Sequence, residues 1–172
     1  MLRFIHFLLA SIPLALWGCA GLLSEPVWQP FSPTRHRQIH VQSCVDQSAN
    51  RGQWNLAPEA SRALMGKVLA TRRFEFAPEP ALIFSCDVEG HIDRSDPQRN
   101  FPPLWGLSEV RVTVIAWERP GDRVMAVFRG LATLPRGGID NVGTESRLIA
   151  AAMNDVANQL EAWINASGKA GP

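Results

Sequence analysis

Alternating apolar and polar residues predict strands in two parts of the chain. From Gln38 to Asp46 every second side chain is apolar or small, which is the period of a strand with one buried face. The same alternation starts again near Ala81, directly after Pro80, and continues to Ile92. We therefore expect a first strand over 38–46 and a second strand over about 81–92.

A β-hairpin follows the second strand. Apolar residues alternate from Val110 to Ala116 and again from Val124 to Gly130, and residues 119–122 between them have the sequence Arg-Pro-Gly-Asp, which favours a turn. The opposite faces of both strands also carry apolar residues. This pattern predicts central strands, or a sheet that is covered on one side and contacted on the other.

Two segments have the apolar spacing of amphipathic helices. The first opens at Pro58, where proline is tolerated, and we expect it to end near Arg72. The second has Thr144 as a suitable N-cap and reaches about Ala166. Residues on the predicted buried stripes are Ala60, Leu64 and Val68 in the first helix, and Leu148, Ala152, Val156, Leu160 and Trp163 in the second.

The element order β-α-β-β-β-α predicts an α+β fold. Two helices on one face of a mixed or mostly antiparallel four-stranded sheet would bury both helical stripes in a two-layer domain. We expect this single domain to span residues 38–166, with a disordered tail over 167–172. No strong catalytic or ligand-binding motif occurs along it.

The N-terminal residues have the three parts of an export signal. Residues 1–3 are positive through the α-amine and Arg3, residues 4–16 are apolar, and Gly18 precedes Cys19. One alternative is an uncleaved membrane anchor, although Pro13 and the single flanking charge argue against a permanent helix. A second alternative is an ordinary secreted protein that is cleaved nearby.

The end of this leader resembles the lipobox of bacterial lipoproteins. Leu16, Gly18 and Cys19 match the lipobox pattern, whereas Trp17 occupies a position that is usually small. The resemblance implies that residues 1–18 are a signal peptide cleaved between Gly18 and Cys19, and that lipid is attached to the Cys19 thiol. Ala20 after the cysteine implies the periplasmic face of the outer membrane, with an inner-membrane anchor as the alternative.

Residues 19–37 have the composition of a tether between the lipidated Cys19 and the domain. Pro26, Pro30 and Pro33 interrupt regular structure. Trp28 and Phe31 are apolar for a linker, so they either pack back on the domain or lie at the lipid interface.

The charge of the mature chain argues against nucleic acid as a partner. Removal of residues 1–18 takes away Arg3, one of the 17 basic residues, and leaves the 16 acidic residues in place. A net charge near zero provides no electrostatic attraction for phosphates. We also expect no cofactor besides the covalent lipid.

Cys44 and Cys86 are the two cysteines left after Cys19 is lipidated. In an oxidising envelope compartment they are a candidate disulfide. Both lie on predicted strands, so a bond requires neighbouring strands with Cα atoms within about 7 Å. The alternative is two buried free thiols that act as small apolar side chains.

Four chemically active side chains alternate at the end of the second strand, and a metal ion is one interpretation of them. Asp87, Glu89, His91 and Asp93 would share one face, and such groups can bind a divalent cation. The calcium-loop pattern is absent, and a strand that simply runs into solvent explains the same residues. Our prediction is no metal.

Histidine and tryptophan complete the candidate chemistry. His36 and His40 have the metal spacing of a helix, but a tether entering a strand predicts a solvated pair. A hydrolase would need one of the mature histidines beside a serine or cysteine in space.

Some tryptophans lie in or near loops and the hairpin, where they would either anchor a partner or pack in the core. These four residues are Trp28, Trp54, Trp105 and Trp117.

The element order after a lipobox resembles several families of small envelope lipoproteins. These are uncharacterised α/β lipoproteins, lipoprotein activators of penicillin-binding proteins and the lipopolysaccharide-assembly lipoprotein. Residues 127–132, a last strand that feeds the final helix, are most similar to the uncharacterised group. The resemblance implies a non-catalytic module that binds an envelope protein. Alternatives are a carrier of a lipid or small hydrophobic ligand and a hydrolase.

Overall fold

The computed structural model describes residues 28–48, 55–91, 107–135 and 143–167. Within these ranges the chain has an α+β fold with six strands and two helices. The elements are β1 (Gln38–Val41), β2 (Val45–Asp46), α1 (Ala57–Ala70), β3 (Glu75–Phe76), β4 (Leu82–His91), β5 (Leu107–Glu118), β6 (Arg123–Pro135) and α2 (Thr144–Ser167).

The predicted count of four strands and the order β-α-β-β-β-α were wrong. The expected first strand over 38–46 is two short strands, β1 and β2, with a break at residues 42–44. The strand β3 was missed, because a strand of two residues is too short to show an alternating pattern. The β5–β6 hairpin and the two helices were predicted correctly as elements.

The sheet is mixed, with the spatial order β3-β1-β4-β5-β6 and with β2 pairing to β4. β1 is parallel to both of its neighbours, β3 and β4. The pairs β4–β5 and β5–β6 are antiparallel. The β5–β6 turn over residues 119–122 includes Gly121 at φ +114°. We call this edge of the sheet, where β1 and β4 also begin, the hairpin end.

One face of the sheet and both helices share a single hydrophobic core. The predicted stripes of α1 and α2, including Trp163, are buried in this core, so both helices lie on the same face. The strand side chains buried there are Ile39, Val41, Leu82, Phe84, Cys86, Val88, Val110, Val112, Val114, Ala116, Phe128 and Ala132. The opposite face of β4, β5 and β6, on which no described helix packs, is called the open face below.

Helix α2 approaches β6 so closely that a side chain is excluded at Gly130. A Cβ atom built on Gly130 would lie 1.9 Å from the carbonyl oxygen of Ala152. Glycine is thus required here by backbone contact between the helix and the strand.

The outer edge of β6 is covered by hydrogen bonds from other parts of the chain. Gln159 accepts a hydrogen bond from the backbone N–H of Arg129 at 3.0 Å and donates one to the carbonyl oxygen of Arg129 at 2.5 Å. Nearer the hairpin end, the backbone N–H of Gln29 donates to the carbonyl oxygen of Met125 at 2.7 Å. These bonds occupy backbone groups that an edge strand would otherwise offer to another chain.

Candidate functional site

Residues 28–37, which we call the docking segment, pack on the hairpin end of the domain. Phe31 is buried and its ring contacts those of Phe74 and Trp163, with ring centroids 5.6 Å and 5.1 Å away. Trp163 also donates a hydrogen bond from Nε1 to the carbonyl oxygen of Gln29 at 2.6 Å. The last part of the segment that the sequence assigned to the tether therefore lies on the folded body.

His36 connects the docking segment to the end of β5. The imidazole Nε2 and Oε1 of Glu118 are 3.1 Å apart, and both residues are buried, with 3% and 4% of their surfaces exposed. The prediction of a solvated His36 was wrong, because its partner lies 82 residues away and local spacing does not reveal it. His40, in contrast, is exposed.

The hydrogen bonds of His36 fix its tautomer. The backbone N–H of Ser32 donates to Nδ1 at 2.9 Å, so Nδ1 is an acceptor and the ring proton is on Nε2. Nε2 therefore donates to Glu118. Both ring nitrogens are occupied, which leaves His36 without a free nitrogen to activate a serine or cysteine nucleophile.

Two arginines complete the contacts of the Glu118 carboxylate. Arg35 lies 3.0 Å from Oε1, and Arg123 donates through Nε and Nη2 to Oε2 at 3.0 Å and 2.7 Å. Both arginine side chains are more than half exposed, at 61% and 59%. We call the group Arg35, His36, Glu118 and Arg123 the Glu118 clamp.

The Glu118 clamp keeps its carboxylate ionised. The hydrogen bond from His36 lowers the pKa of Glu118 most, burial opposes this, and the hydrogen bond and charge of Arg123 and the charge of Arg35 lower the pKa further. A buried carboxylate with partners on three sides is a structural connection between the docking segment and the hairpin. Within the described residues the two imidazole nitrogens contact the backbone of Ser32 and the Glu118 carboxylate, and these contacts are structural.

Cys44 and Cys86 lie close together because β1 and β4 are neighbouring strands. Cys44 follows β1, Cys86 lies in β4, and a disulfide joins them across a Cα–Cα distance of 4.4 Å. Both side chains are buried. The backbone N–H of Cys44 also donates to Oγ of Ser61 in α1 at 2.8 Å, so this point connects the sheet to the helix.

The candidate metal ligands lie along the open face of β4. Asp87 and Glu89 are exposed, Asp87 accepts a hydrogen bond from Gln47 at 3.3 Å, and Glu89 lies opposite Arg111 in the strand register. Asp93 is outside the described residues. Among the described residues, no three metal-ligating side chains are grouped so that they could hold an ion.

The open face has an apolar half near the hairpin end and a charged half beyond it. The apolar half contains Ile83, Ile115, Trp117 and Val127, which are half-buried and paired across the strands. The charged half contains Asp87, Glu89, Arg111 and Arg129. This apolar half includes the aromatic Trp117, and arginines lie beside it; both residue types are enriched at protein interfaces, so we take the open face as the candidate site.

The four candidate tryptophans are in different situations. Trp117 is half-buried on the open face and donates from Nε1 to Oγ of Ser85 at 2.8 Å. Trp28 is 36% exposed and pairs with Ala126 at the start of β6. Trp54 and Trp105 lie outside the described residues, as do Gly18 and Cys19.

Two grooves that are open to solvent border β6 in the described part of the chain. The larger groove, of about 490 Å³, has mainly polar side chains in its lining, including Arg111, Thr113, Arg129, Asp155, Asn158 and Gln159. The smaller groove, of about 390 Å³, is formed by β6 and the first half of α2.

None of the described helices is both long enough and apolar enough to cross a bilayer. No protein-family model matches the chain, and no curated protein matches it either.

Solved structures similar to this chain come from several bacteria. A variant of the PelC dodecamer from Paraburkholderia phytofirmans is 17% identical with a TM-score of 0.49, covering 75% of this chain and 94% of that chain. A Xanthomonas campestris protein of the family DUF330 is 10% identical with a TM-score of 0.48, covering 84% and 95%. A minor lipoprotein from Acinetobacter baumannii is 16% identical with a TM-score of 0.44, covering 77% and 95%.

Proposed function

We propose that the protein is a lipid-anchored lipoprotein of the bacterial envelope that acts as a non-catalytic binding module. The observation that carries this proposal is the lipobox at Leu16 to Cys19 behind an apolar leader. The proposed location is the periplasmic face of the outer membrane, in line with Ala20 after the lipidated cysteine. The Glu118 clamp supports a non-catalytic body, since both nitrogens of its buried histidine are occupied.

The short connection to Cys19 would hold the domain close to the membrane. Trp28 pairs with Ala126, so the folded body begins nine chain steps after Cys19. Nine steps span at most about 32 Å when fully extended. The hairpin end, where the docking segment packs, would therefore be the part of the body nearest to the bilayer.

The first test of this proposal is metabolic labelling with a clickable fatty acid. We expect the wild-type protein to be labelled and to sediment with membranes. Cys19→Ala should abolish the label and release the protein from membranes, because the thiol is the proposed site of lipid attachment. A protein that is labelled as strongly after Cys19→Ala would contradict the anchor.

The partner we propose is an envelope protein that contacts the open face. A photo-crosslinking amino acid at Leu131, which lies on this face opposite Arg111, should give a discrete adduct in intact cells. Leu69 in α1 is a matched control, since both leucines are 52% exposed. Equal adducts from both positions, or none from Leu131, would argue against a partner at the open face.

A further inference from the structure

A small set of contacts holds the docking segment to the body. Gln29 bonds to Met125 and to the Trp163 indole, Phe31 enters the aromatic cluster, and His36 and Arg35 meet Glu118. The sheet and both helices are joined to one another by their own contacts and share one core. The docking segment also pairs Trp28 with Ala126 and Arg37 with Glu75, and it contributes Phe31 to that core. Its attachment is thus a distinct set of contacts, of which those at Glu118 involve charge on a buried carboxylate.

At this attachment, several basic side chains share one acidic side chain. The cationic side chains of Arg35 and Arg123 and the ring of His36 all contact the single carboxylate of Glu118. Other ion pairs of the described residues have their own partners: Arg119 pairs with Asp122 in the turn, and Arg37 of the docking segment pairs with Glu75 of β3. The contacts of Arg35, His36 and Arg123 thus depend on one negative charge.

We propose that the Glu118 clamp is an acid-sensitive latch, and that protonation of Glu118 releases the docking segment from the body. The effect of this release at a membrane depends on the lipid anchor proposed above. Release of residues 28–37 would lengthen the free chain from nine steps, which reach at most about 32 Å to Trp28, to nineteen steps, which reach at most about 68 Å to Gln38 at the start of β1. The latch would thus set the distance between the bilayer and the domain.

The direction of the switch follows from the contacts. The pKa of Glu118 lies below its ordinary value, so the charged carboxylate stabilises the closed state at neutral pH and this stabilisation is lost as the pH falls through the lowered pKa. The guanidinium groups of Arg35 and Arg123 then lose their shared counter-charge. The burial of Phe31 opposes release at every pH, since it does not depend on charge.

Hydrogen–deuterium exchange tests the latch on the full lipidated chain in a neutral detergent. Between pH 7 and about pH 3.5, with labelling times corrected for intrinsic exchange, protection of residues 28–37 should fall by up to about tenfold, the limit that one carboxyl group sets by proton linkage at this pH. Residues 107–118 and 144–167 should keep their protection. Simultaneous loss of protection in all three segments would mean global unfolding and would overturn the proposal.

Two variants and a matched control make the test specific. Glu118→Gln should expose the docking segment already at pH 7 and remove the pH response. Asp122→Asn changes a 65% exposed carboxylate in the adjacent turn and should behave as wild type. If Glu118→Gln does not fold, Arg35→Gln is used in its place. Loss of this cation should raise the pKa of Glu118, so the pH at which half of the docking segments are released should be higher. An unchanged value of this pH would reject the latch.

The two proposals fail in different experiments. Exchange of residues 28–37 reports on the latch and does not depend on the presence of a lipid. If the wild-type protein carried no fatty-acid label, the proposal of a lipid anchor would be rejected, whereas the proposal of a latch would be unaffected.

Discussion

Gly130→Ala should destabilise the protein by about 3 kcal/mol, which is the upper part of the usual range for overpacking. The added Cβ would lie 1.9 Å from the carbonyl oxygen and 2.7 Å from the carbonyl carbon of Ala152. These atoms belong to the backbone of α2, so no side-chain rotation relieves the contact. The helix must move away from β6, and its contacts with the core must move with it.

Gly66→Ala is the control for this experiment. Gly66 is exposed inside α1, and a Cβ atom there meets nothing within 4 Å. The same chemical change should therefore stabilise the protein by about 0.5–1 kcal/mol, since glycine is unfavourable in a helix interior. Urea unfolding followed by circular dichroism measures both variants. A Gly130→Ala protein as stable as wild type would contradict the close approach of α2.

The sequence could predict elements whose signal is periodic and local. The stripe of α1 at four-residue spacing, and that of α2, identified both helices and their buried faces. The two-residue strand β3 escaped prediction because its pairing with β1 is not visible in the local sequence, and β2 was predicted only as the end of one longer strand. The role of Gly130 also escaped it, since the alternating pattern of β6 does not show how closely a helix approaches.

The Glu118 clamp was missed although the sequence contains a signal for it. Glu118 continues the alternation of Val112, Val114 and Ala116, all of which point into the core. A carboxylate at an inward position needs partners that compensate its burial. The pattern could therefore have predicted that a cation or a histidine reaches the end of β5. The identity of the partner could not be predicted, because His36 lies in a segment without regular periodicity.

Replacing both cysteines of the disulfide, Cys44→Ala with Cys86→Ala, should lower the free energy of unfolding by about 4 kcal/mol. The bond closes a loop with a sequence separation of 42 residues, and restriction of the unfolded chain by a loop of that length gives this magnitude. The effect should appear as a lower urea midpoint in protein purified from the periplasm.

Reduction provides the control that separates the covalent bond from side-chain packing. Dithiothreitol should lower the midpoint of wild type to nearly that of the double variant and should leave the double variant unchanged. Alanine removes the buried sulfur atoms as well, so any further loss in the double variant measures their packing in the core. Two thiols that react with an alkylating reagent in unreduced periplasmic protein would reject the bond. The connection between β1 and β4 would then depend on non-covalent contacts, which include three residue pairs of backbone register.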